Sequence, residues 1–346
     1  MHDSLIDIQK RILPDLLQVM QKRYLILQYI NVMQPVGRRN LSVSLNLTER
    51  ILRSEVEFLK DQDLISISVQ GMTMTKAGKD ILESLESVMR DIAGINTLEH
   101  KLQEIMDIQK VIVVPGDSDQ SPWVKSELGR ATANTMKRLL HSESIIAVTG
   151  GSTMASVADM LTPDFGVKDL LFVPARGGIG EDVKNQANTI CAIMADKTKS
   201  RHRVFYVPDQ VSSEIYESFI KEPLIYEVWN LVKSASMVLH GIGDAITMAE
   251  RRNTSPEDLQ KILEGNAVGE AFGYYFNEAG EIVHKVLTIG LQLNDLANID
   301  DVIAVAGGAS KTKAIRAYMK QAPASTILIT DEGAAKQLVQ GVTPFI

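Results

Sequence analysis

Seven short apolar runs recur along the chain after residue 108, and segments with helical periodicity separate most of them. The runs cover residues 110–115, 144–149, 169–174, 202–207, 236–240, 301–306 and 325–330. Apolar strands that alternate with helices are typical of a parallel sheet covered on both faces. We therefore predict an α/β fold, with a Rossmann-like parallel-sheet domain over residues 108–346. Ligands of such sheets bind at the carboxyl ends of the strands.

A glycine-rich loop follows the second of these runs. The apolar run stops before Gly150 and Gly151, and an amphipathic pattern begins just after Ser152 and Thr153, which we expect to cap a helix. Glycines allow close approach of the backbone, and a helix N-terminus attracts anions such as phosphate. The loop matches neither the GxxxxGK[ST] nor the GxGxxG pattern. Taken alone, it is equally consistent with an ordinary strand–helix turn.

Three further predicted strands run into glycine-rich loops, PARGGIGE (174–181), HGIGDA (240–245) and AGGASK (306–311). Two of them carry a cation, Arg176 or Lys311, and two carry an acid, Glu181 or Asp244. Cations and open helix N-termini suit phosphate oxygens, and carboxylates suit sugar hydroxyls. The predicted ligand is a phosphorylated sugar. The alternatives are an Arg176–Glu181 salt bridge and a solvated Lys311.

Other polar residues near these loops are weaker candidates. Gln186 and Arg251 follow two of the loops on helices, where both could also be ordinary surface residues. Glu270 lies among glycines and aromatics, where it could bind hydroxyls or cap a turn. His240 could act as a base, although a lone histidine at a strand end is more often structural. These groups form no obvious acid–base pair of the kind that sugar isomerisation needs.

The first 76 residues have the pattern of a winged helix-turn-helix domain. Two amphipathic helices are predicted over 5–18 and 22–33, with a kink or break at Pro14, and a short helix over 40–45. Asn46 fits a left-handed turn, and Thr48 caps a helix over 49–62. A hairpin follows, with strands over 64–69 and 72–75 and a turn at Gln70-Gly71. The inner side of the long helix is predicted to carry Ile51, Leu52, Val56, Phe58 and Leu59.

The helix that begins after Thr48 is the predicted DNA-recognition helix. Arginine can bind guanine bidentately, and hydroxyls can contact bases or phosphates. The net charge of −7 is uneven, because residues 1–90 carry +1 and the remainder carries −8. The acidic remainder is unsuited to nucleic acid, and the alternative for the basic helix is a solvated charged face. The DNA-binding candidates are Arg38, Arg39, Thr48, Glu49, Arg50, Arg53 and Ser54.

Residues 77–107 are predicted to form a helical linker. Apolar residues at 81, 85, 88, 92 and 95 follow a heptad spacing, which resumes at 98, 102 and 105 after a break in register near Gly94. A heptad seam is typical of helix pairing. We expect this helix to pair between subunits, giving a dimer and a tetramer on DNA. The alternative is a helix that packs only on its own domain.

Composition excludes several classes of protein. The single cysteine, Cys191, rules out an internal disulfide and a cysteine metal cluster, and it fits a reducing compartment. There is no apolar run of 18 residues and no signal-peptide pattern at the N-terminus. We therefore predict a cytoplasmic chain with no membrane span, no cofactor and no metal site.

Six segments together resemble the SorC-type family of sugar-responsive bacterial repressors, and within it the members that control glycolysis. The segments are SLNLTERILRSEVEFLK (44–60), VTGGSTMASVADML (148–161), VPARGGIGEDVKNQANTI (173–190), HGIGDAITMAERR (240–252), GNAVGEAFGYYF (265–276) and GGASKTKAIRAYMK (307–320).

The resemblance implies a repressor, not an enzyme, of a glycolytic operon that includes glyceraldehyde-3-phosphate dehydrogenase, with fructose-1,6-bisphosphate as the releasing effector. It implies that the loop 150–153 binds one phosphate. The rest of the effector site is implied to include Arg176, Gly177, Gly178, Glu181, Gln186, Arg251, Glu270 and Lys311, with Asp244 as a further candidate. The alternatives are another phosphosugar, a sugar-phosphate isomerase or deaminase on the same fold, and a Schiff-base lysine.

Overall fold

The computed structural model describes residues 11–163, 165–166, 169–178 and 182–340. The chain divides into two compact units. The first comprises Met1–Leu98 together with Gln120–Val124, and the second comprises Glu99–Asp119 together with Lys125–Ile346. The predicted linker over 77–107 is therefore divided between them after Leu98.

Three helices begin the described part of the N-terminal unit: α1 (Pro14–Met33), α2 (Arg38–Ser44) and α3 (Glu49–Asp61). Asn46 has a φ of 50°, as the left-handed turn requires. Thr48 caps α3 by accepting a hydrogen bond from the Ile51 N–H at 3.4 Å. The predicted helix-turn-helix is confirmed.

Two details of the helix prediction are wrong. The predicted break at Pro14 is confirmed, because Arg11 and Ile12 are helical and Leu13 is not. A single helix then covers residues 14–33, without the predicted break before residue 22, and Pro14 occupies its first turn, where no backbone N–H is needed. The predicted helix over 5–18 lies partly outside the described residues. In α3, Ile51 and Phe58 are 39% and 37% exposed, because the buried face follows Leu52, Val56 and Leu59.

The wing is a hairpin of β1 (Ile65–Ser68) and β2 (Gly71–Met74), so the turn residues are Val69 and Gln70, one position earlier than predicted. Gly71 is the first residue of β2, where it pairs with Ser68. The backbone of Val36 lies so close to it that there is no room for a side chain. A Cβ at position 71 would lie 2.9 Å from Val36 backbone atoms.

The linker region forms two helices, α4 (Lys76–Ile92) and α5 (Ile95–Met106). The chain bends between them at Gly94, whose φ of 71° ends α4. Leu82, Met89 and Ile92 form the buried side of α4, whereas Ile81 and Val88 of the predicted seam are 40% and 36% exposed. Pairing of this seam between subunits stays a prediction.

A seven-stranded sheet forms the core of the C-terminal unit, and every paired neighbour in it is parallel. The order is β3-β13-β12-β7-β4-β5-β6. Six of the seven predicted strands are confirmed, and the predicted strand over 202–207 is reduced to a two-residue strand that overlaps it at His202. Their bounds are β3 (Lys110–Val114), β4 (Ile145–Val148), β5 (Leu171–Pro174), β6 (Arg201–His202), β7 (Met237–Gly241), β12 (Asp301–Val305) and β13 (Thr326–Asp331).

Strand β6 is much shorter than the predicted run over 202–207. The side chain of Asn188 accepts a hydrogen bond from the Phe205 N–H at 2.8 Å and donates one to the Phe205 carbonyl at 3.1 Å. These bonds take the backbone groups that strand pairing would use. Asn188 is therefore a structural residue.

The remaining helices connect these strands and the second sheet described next. They are α6 (Trp123–Leu139), α7 (Ser152–Met160), α8 (Ala187–Thr198), α9 (Ser213–Phe219), α10 (Pro223–Lys233), α11 (Ala245–Arg251), α12 (Pro256–Glu264), α13 (Thr312–Met319) and α14 (Glu332–Val339). In the part of the chain that the structure describes, no helix is both long and apolar enough to cross a bilayer.

A second sheet, absent from the sequence prediction, contains four antiparallel strands in the order β11-β10-β9-β8. Its strands are β8 (Gly243–Asp244), β9 (Ala267–Ala271), β10 (Tyr274–Asn277) and β11 (Ile282–Lys285). The turn between β9 and β10 consists of Phe272 and Gly273, both with positive φ. This sheet brings Glu270 beside the cavity described below.

Candidate functional site

The topology creates a crevice between β4 and β7. From β4 the chain continues to β5 and β6 on one side of the sheet, and from β7 it continues to β12 and β13 on the other. Such switch points are where parallel sheets bind ligands. A cavity of about 480 Å³ lies there, lined by residues of all four predicted glycine-rich loops. The prediction that these loops meet is confirmed.

Most of the predicted effector residues line this cavity: Gly150, Gly151, Ser152, Thr153, Arg176, Gly177, Gln186, Arg251, Glu270 and Lys311. Gly178 and Asp244 are not among its lining residues, and Glu181 lies outside the described residues.

The loop after β4 presents the N-terminus of α7 to the cavity. Gly151, with a φ of 114°, is the N-cap residue, and no side chain caps the helix. Ser152 and Thr153 are helical residues and not caps, which corrects the prediction. Gly150 and Gly151 pack closely on Asn185, whose carbonyl accepts a hydrogen bond from the Gly151 N–H at 2.8 Å. An uncapped helix N-terminus beside a cavity is suited to an anion.

Arg176 belongs to a buried group of four charges. Its Nη2 lies 2.5 Å from Asp209 Oδ1, and its Nη1 lies 3.7 Å from Glu270 Oε1. Arg252 contacts both carboxylates, at 2.9 Å and 2.8 Å. All four side chains are 2–5% exposed. Two cations and two anions balance one another, as burial of charge requires.

The Arg176 prediction is thereby refined. Its ion-pair partners in the described residues are Asp209 and Glu270, which come from distant parts of the chain. The buried Arg176 Nε–H has no hydrogen-bond acceptor within the described ranges.

Glu270 and Asp244 both have local structural roles. Glu270 accepts a hydrogen bond from the Gly273 N–H at 2.6 Å, which is the turn-capping alternative for this residue. Asp244 caps α11 by accepting bonds from the Thr247 N–H and hydroxyl at 2.9 Å. Only Glu270 also faces the cavity.

Gly178 lies directly beside the side-chain amide of Gln186. A Cβ at position 178 would lie 2.6 Å from Gln186 Oε1, so glycine allows the close approach of this amide. Gly178 also donates its backbone N–H to the Val207 carbonyl at 3.2 Å.

Lys311 is a cavity-lining cation that further positive charges act on. Its Nζ donates to the Ile242 carbonyl at 3.2 Å. Burial lowers the pKa of Lys311, the positive charges of Lys125 and Arg251 lower it further, and Asp119 and Asp244 offset this only in part. A bound anion would relieve this repulsion and stabilise the charged lysine.

The backbone amides of the Lys311 loop are not free to bind a phosphate. Carboxylates of the protein already occupy its amides. The Gly308 N–H donates to Asp331 Oδ2 at 2.7 Å, and the Ser310 N–H donates to Asp119 Oδ2 at 2.7 Å. The contribution of this loop to the cavity is therefore the Lys311 side chain.

His240 is a structural residue and not a base, which was one of the two interpretations of this histidine at a strand end. It is fully buried, with one ring nitrogen 3.1 Å from the Gly241 carbonyl and the other 3.0 Å from the Tyr318 hydroxyl. Burial lowers the pKa of His240 to about 4, which the hydrogen bond to Gly241 only partly opposes. A neutral ring with both nitrogens occupied does not act as a base here.

We did not predict from the sequence the contacts of Lys125 and Asp209 or the burial of Arg252. Lys125 and Arg252 do not follow a predicted strand, which was the signal used to find site residues, and Asp209, two residues after the predicted strand over 202–207, is not in a glycine-rich loop. Arg252 was weighed together with Arg251 as a phosphate-binding pair or a solvated helix end, and of the two only Arg251 is exposed.

The DNA-binding candidates lie together on the N-terminal unit. Arg38 and Arg39 begin α2, and the other five lie at the start of α3, where all are exposed. Arg53 forms an exposed ion pair with Glu57 at 3.0 Å. On the inner side of α3, burial would raise the pKa of Glu55, but Lys22 and Arg23 of α1 overcome this and lower it. These pairs fix α3 against α1.

Comparisons with known proteins agree with this arrangement. A family model described as "CggR N-terminal DNA binding domain" matches residues 19–89, and one described as "Putative sugar-binding domain" matches residues 90–340. The "putative SorC family transcriptional regulator" from Enterococcus faecalis has a similar structure, with a TM-score of 0.67 and 48% identity over 70% of this chain and all of that one. The chain is thus a DNA-binding transcriptional regulator with a sugar-binding domain.

Two full-length relatives identify the family. The central glycolytic genes regulator of Priestia megaterium is 62% identical over 97% of this chain and 98% of its own length. That of Bacillus subtilis is 56% identical over 98% of this chain and 99% of its own length. The chain belongs to the family of central glycolytic genes regulators, which confirms the resemblance seen in the sequence.

The buried state of His240 predicts a pH dependence of stability. Below its ordinary pKa of 6.5 the unfolded chain binds a proton that the folded chain excludes until about pH 4. The His240 contribution to the free energy of unfolding should therefore fall by about 2 kcal/mol between pH 7.5 and pH 5. Urea unfolding of His240→Gln should lack this part of the decrease. The control variant His141→Gln, which changes an exposed histidine, should show the full decrease. If the free energy of unfolding of His240→Gln falls with pH as steeply as that of wild type, His240 is not the source of the decrease.

Proposed function

We propose that this chain represses a glycolytic operon, including the gene for glyceraldehyde-3-phosphate dehydrogenase, and that fructose-1,6-bisphosphate releases it from the operator. The observation that carries the proposal is the pairing of two anion-binding features in one cavity. One is the uncapped N-terminus of α7, and the other is the group of cations around Lys311. A sugar with a phosphate at each end satisfies both.

The residues proposed for effector binding are those that line the cavity. The loop 150–153 binds one phosphate, and Arg251 and Lys311 supply positive charge for the rest of the ligand. Arg176 also lines the cavity, with its charge balanced by Asp209 and Glu270. Gln186 and Glu270 suit the sugar hydroxyls. The α2–α3 surface binds operator DNA, which places the action of the protein in the cytoplasm.

The release mechanism is linkage between two sites. The effector favours a subunit arrangement that holds paired helix-turn-helix units poorly on their half-sites, so operator affinity falls. Pairing of α4 through Ile81 and Val88 would supply the dimer, with a tetramer on DNA. The small positive charge of the N-terminal region fits a need for more than one copy.

One observation favours a second candidate. Lys311 lines the cavity with a lowered pKa, which is also a property of lysines that form Schiff bases with sugar carbonyls. Borohydride treatment in the presence of a phosphosugar would trap such an adduct as a mass increase on Lys311. An isomerase or deaminase is less well supported, because His240 is buried and neutral.

The proposal predicts how operator affinity responds to the effector. Saturating fructose-1,6-bisphosphate should weaken wild-type operator binding by tenfold or more, measured by fluorescence anisotropy. Thr153→Arg fills the phosphate-binding loop, so operator affinity should stay near the wild-type value and the response should vanish. Thr162→Arg places the same side chain at an exposed position outside the cavity and should respond normally. A persistent response in Thr153→Arg would refute the assignment of the loop.

Arg53 tests the DNA-binding surface. Arg53→Ala should weaken operator binding by about 1–3 kcal/mol if the guanidinium contacts a base. Lys60→Ala removes an exposed cation from the last turn of the same helix and should have a much smaller effect. If Arg53→Ala binds the operator as wild type does, Arg53 is only the surface partner of Glu57.

A further inference from the structure

A short acidic loop after β3, residues 117–119, binds the backbone of the Lys311 loop. Asp119 accepts hydrogen bonds from the Ser310 N–H at 2.7 Å and from the Ser310 hydroxyl at 3.1 Å. Asp117 accepts a weaker bond from the Ala309 N–H at 3.4 Å. The residue after Ser310 is the cavity lysine. The acidic loop therefore contacts Ala309 and Ser310, and a movement of Lys311 would displace these adjacent residues.

The same loop is a point where the chain passes from one compact unit to the other. The chain leaves the C-terminal unit after Asp119, contributes Gln120–Val124 to the N-terminal unit, and returns at Lys125. The two residues that flank Gln120–Val124, Asp119 and Lys125, both interact with the Lys311 loop within the C-terminal unit. Asp119 bonds Ser310, and the charge of Lys125 acts on Lys311.

We propose that Asp119 is a positioning residue that couples the cavity to the DNA-binding unit. Its carboxylate holds Ser310, and its peptide bond joins it directly to Gln120–Val124. The inference rests on the proposed function, because it concerns how effector binding reaches the DNA-binding unit.

The charges around Lys311 supply the driving force for a movement. Without an anion, Lys311 donates to the Ile242 carbonyl and faces repulsion from Lys125 and Arg251. A phosphate attracts all three cations and competes with the Ile242 carbonyl for Lys311. Because the loop amides are bound to carboxylates, a displacement of Lys311 acts on Asp119 through Ser310.

The exposed position of Asp119 makes the test practical, since its substitution leaves the core intact. In the full-length protein, Asp119→Ala should bind fructose-1,6-bisphosphate and operator DNA each within about fivefold of wild type. Saturating bisphosphate should then change its operator affinity by less than threefold, against tenfold or more in wild type. Asp119→Asn retains an acceptor for Ser310 and should recover part of the response.

Asp196→Ala is the matched control, because it removes an exposed aspartate from α8 in the same unit and should respond as wild type does. A normal response in Asp119→Ala, loss of its bisphosphate binding, or an Asp119→Asn variant as unresponsive as Asp119→Ala would each overturn the proposal. Calorimetry with bisphosphate and anisotropy with operator separate these results. A wild-type protein that ignores bisphosphate would instead refute the proposed function itself.

Discussion

Lys311 is a partly buried cation, and the positive charges of Lys125 and Arg251 act on it and lower its pKa. In the protein alone this arrangement is electrostatically unfavourable, and the acids in range offset it only in part. The buried charges of Arg176 and Arg252 differ, since Asp209 and Glu270 balance them. The cavity thus has one wall with balanced charges and another with excess positive charge. The proposed affinity for an anionic ligand rests on this imbalance together with the uncapped N-terminus of α7.

The parallel sheet makes this distribution of charge possible. Strands β12, β7, β4 and β5 are consecutive neighbours, so residues from four distant parts of the sequence meet at one edge. The glycines at 150 and 151 bring one helix end close to the crevice. The carboxylates of Asp331 and Asp119 accept hydrogen bonds from backbone amides of the Lys311 loop. That loop therefore contributes the Lys311 side chain to the cavity. The fold therefore brings two features suited to an anion to one cavity: a helix N-terminus and the side chain of Lys311.

The sequence predicted those parts of the structure that have a local signature. Strands followed by glycine loops located 150–153, Arg176 and Lys311, and the turn at Asn46 located the helix-turn-helix. The contacts that the sequence did not predict join residues with no shared local pattern. Arg252 and Asp209 are 43 positions apart, and neither lies in a predicted glycine-rich loop. The sheet around Glu270 was missed because β10 is a continuous run of buried aromatics, without the alternation used to recognise antiparallel strands.

In the proposed mechanism, the anion cavity and the DNA-binding unit are energetically linked. Linkage is reciprocal, so the operator must weaken effector binding by the same factor by which the effector weakens operator binding. Calorimetric titration of the full-length protein with fructose-1,6-bisphosphate, with and without saturating operator duplex, measures this factor directly. Operator DNA should raise the dissociation constant of the bisphosphate tenfold or more. An identical dissociation constant in both titrations would contradict the linkage.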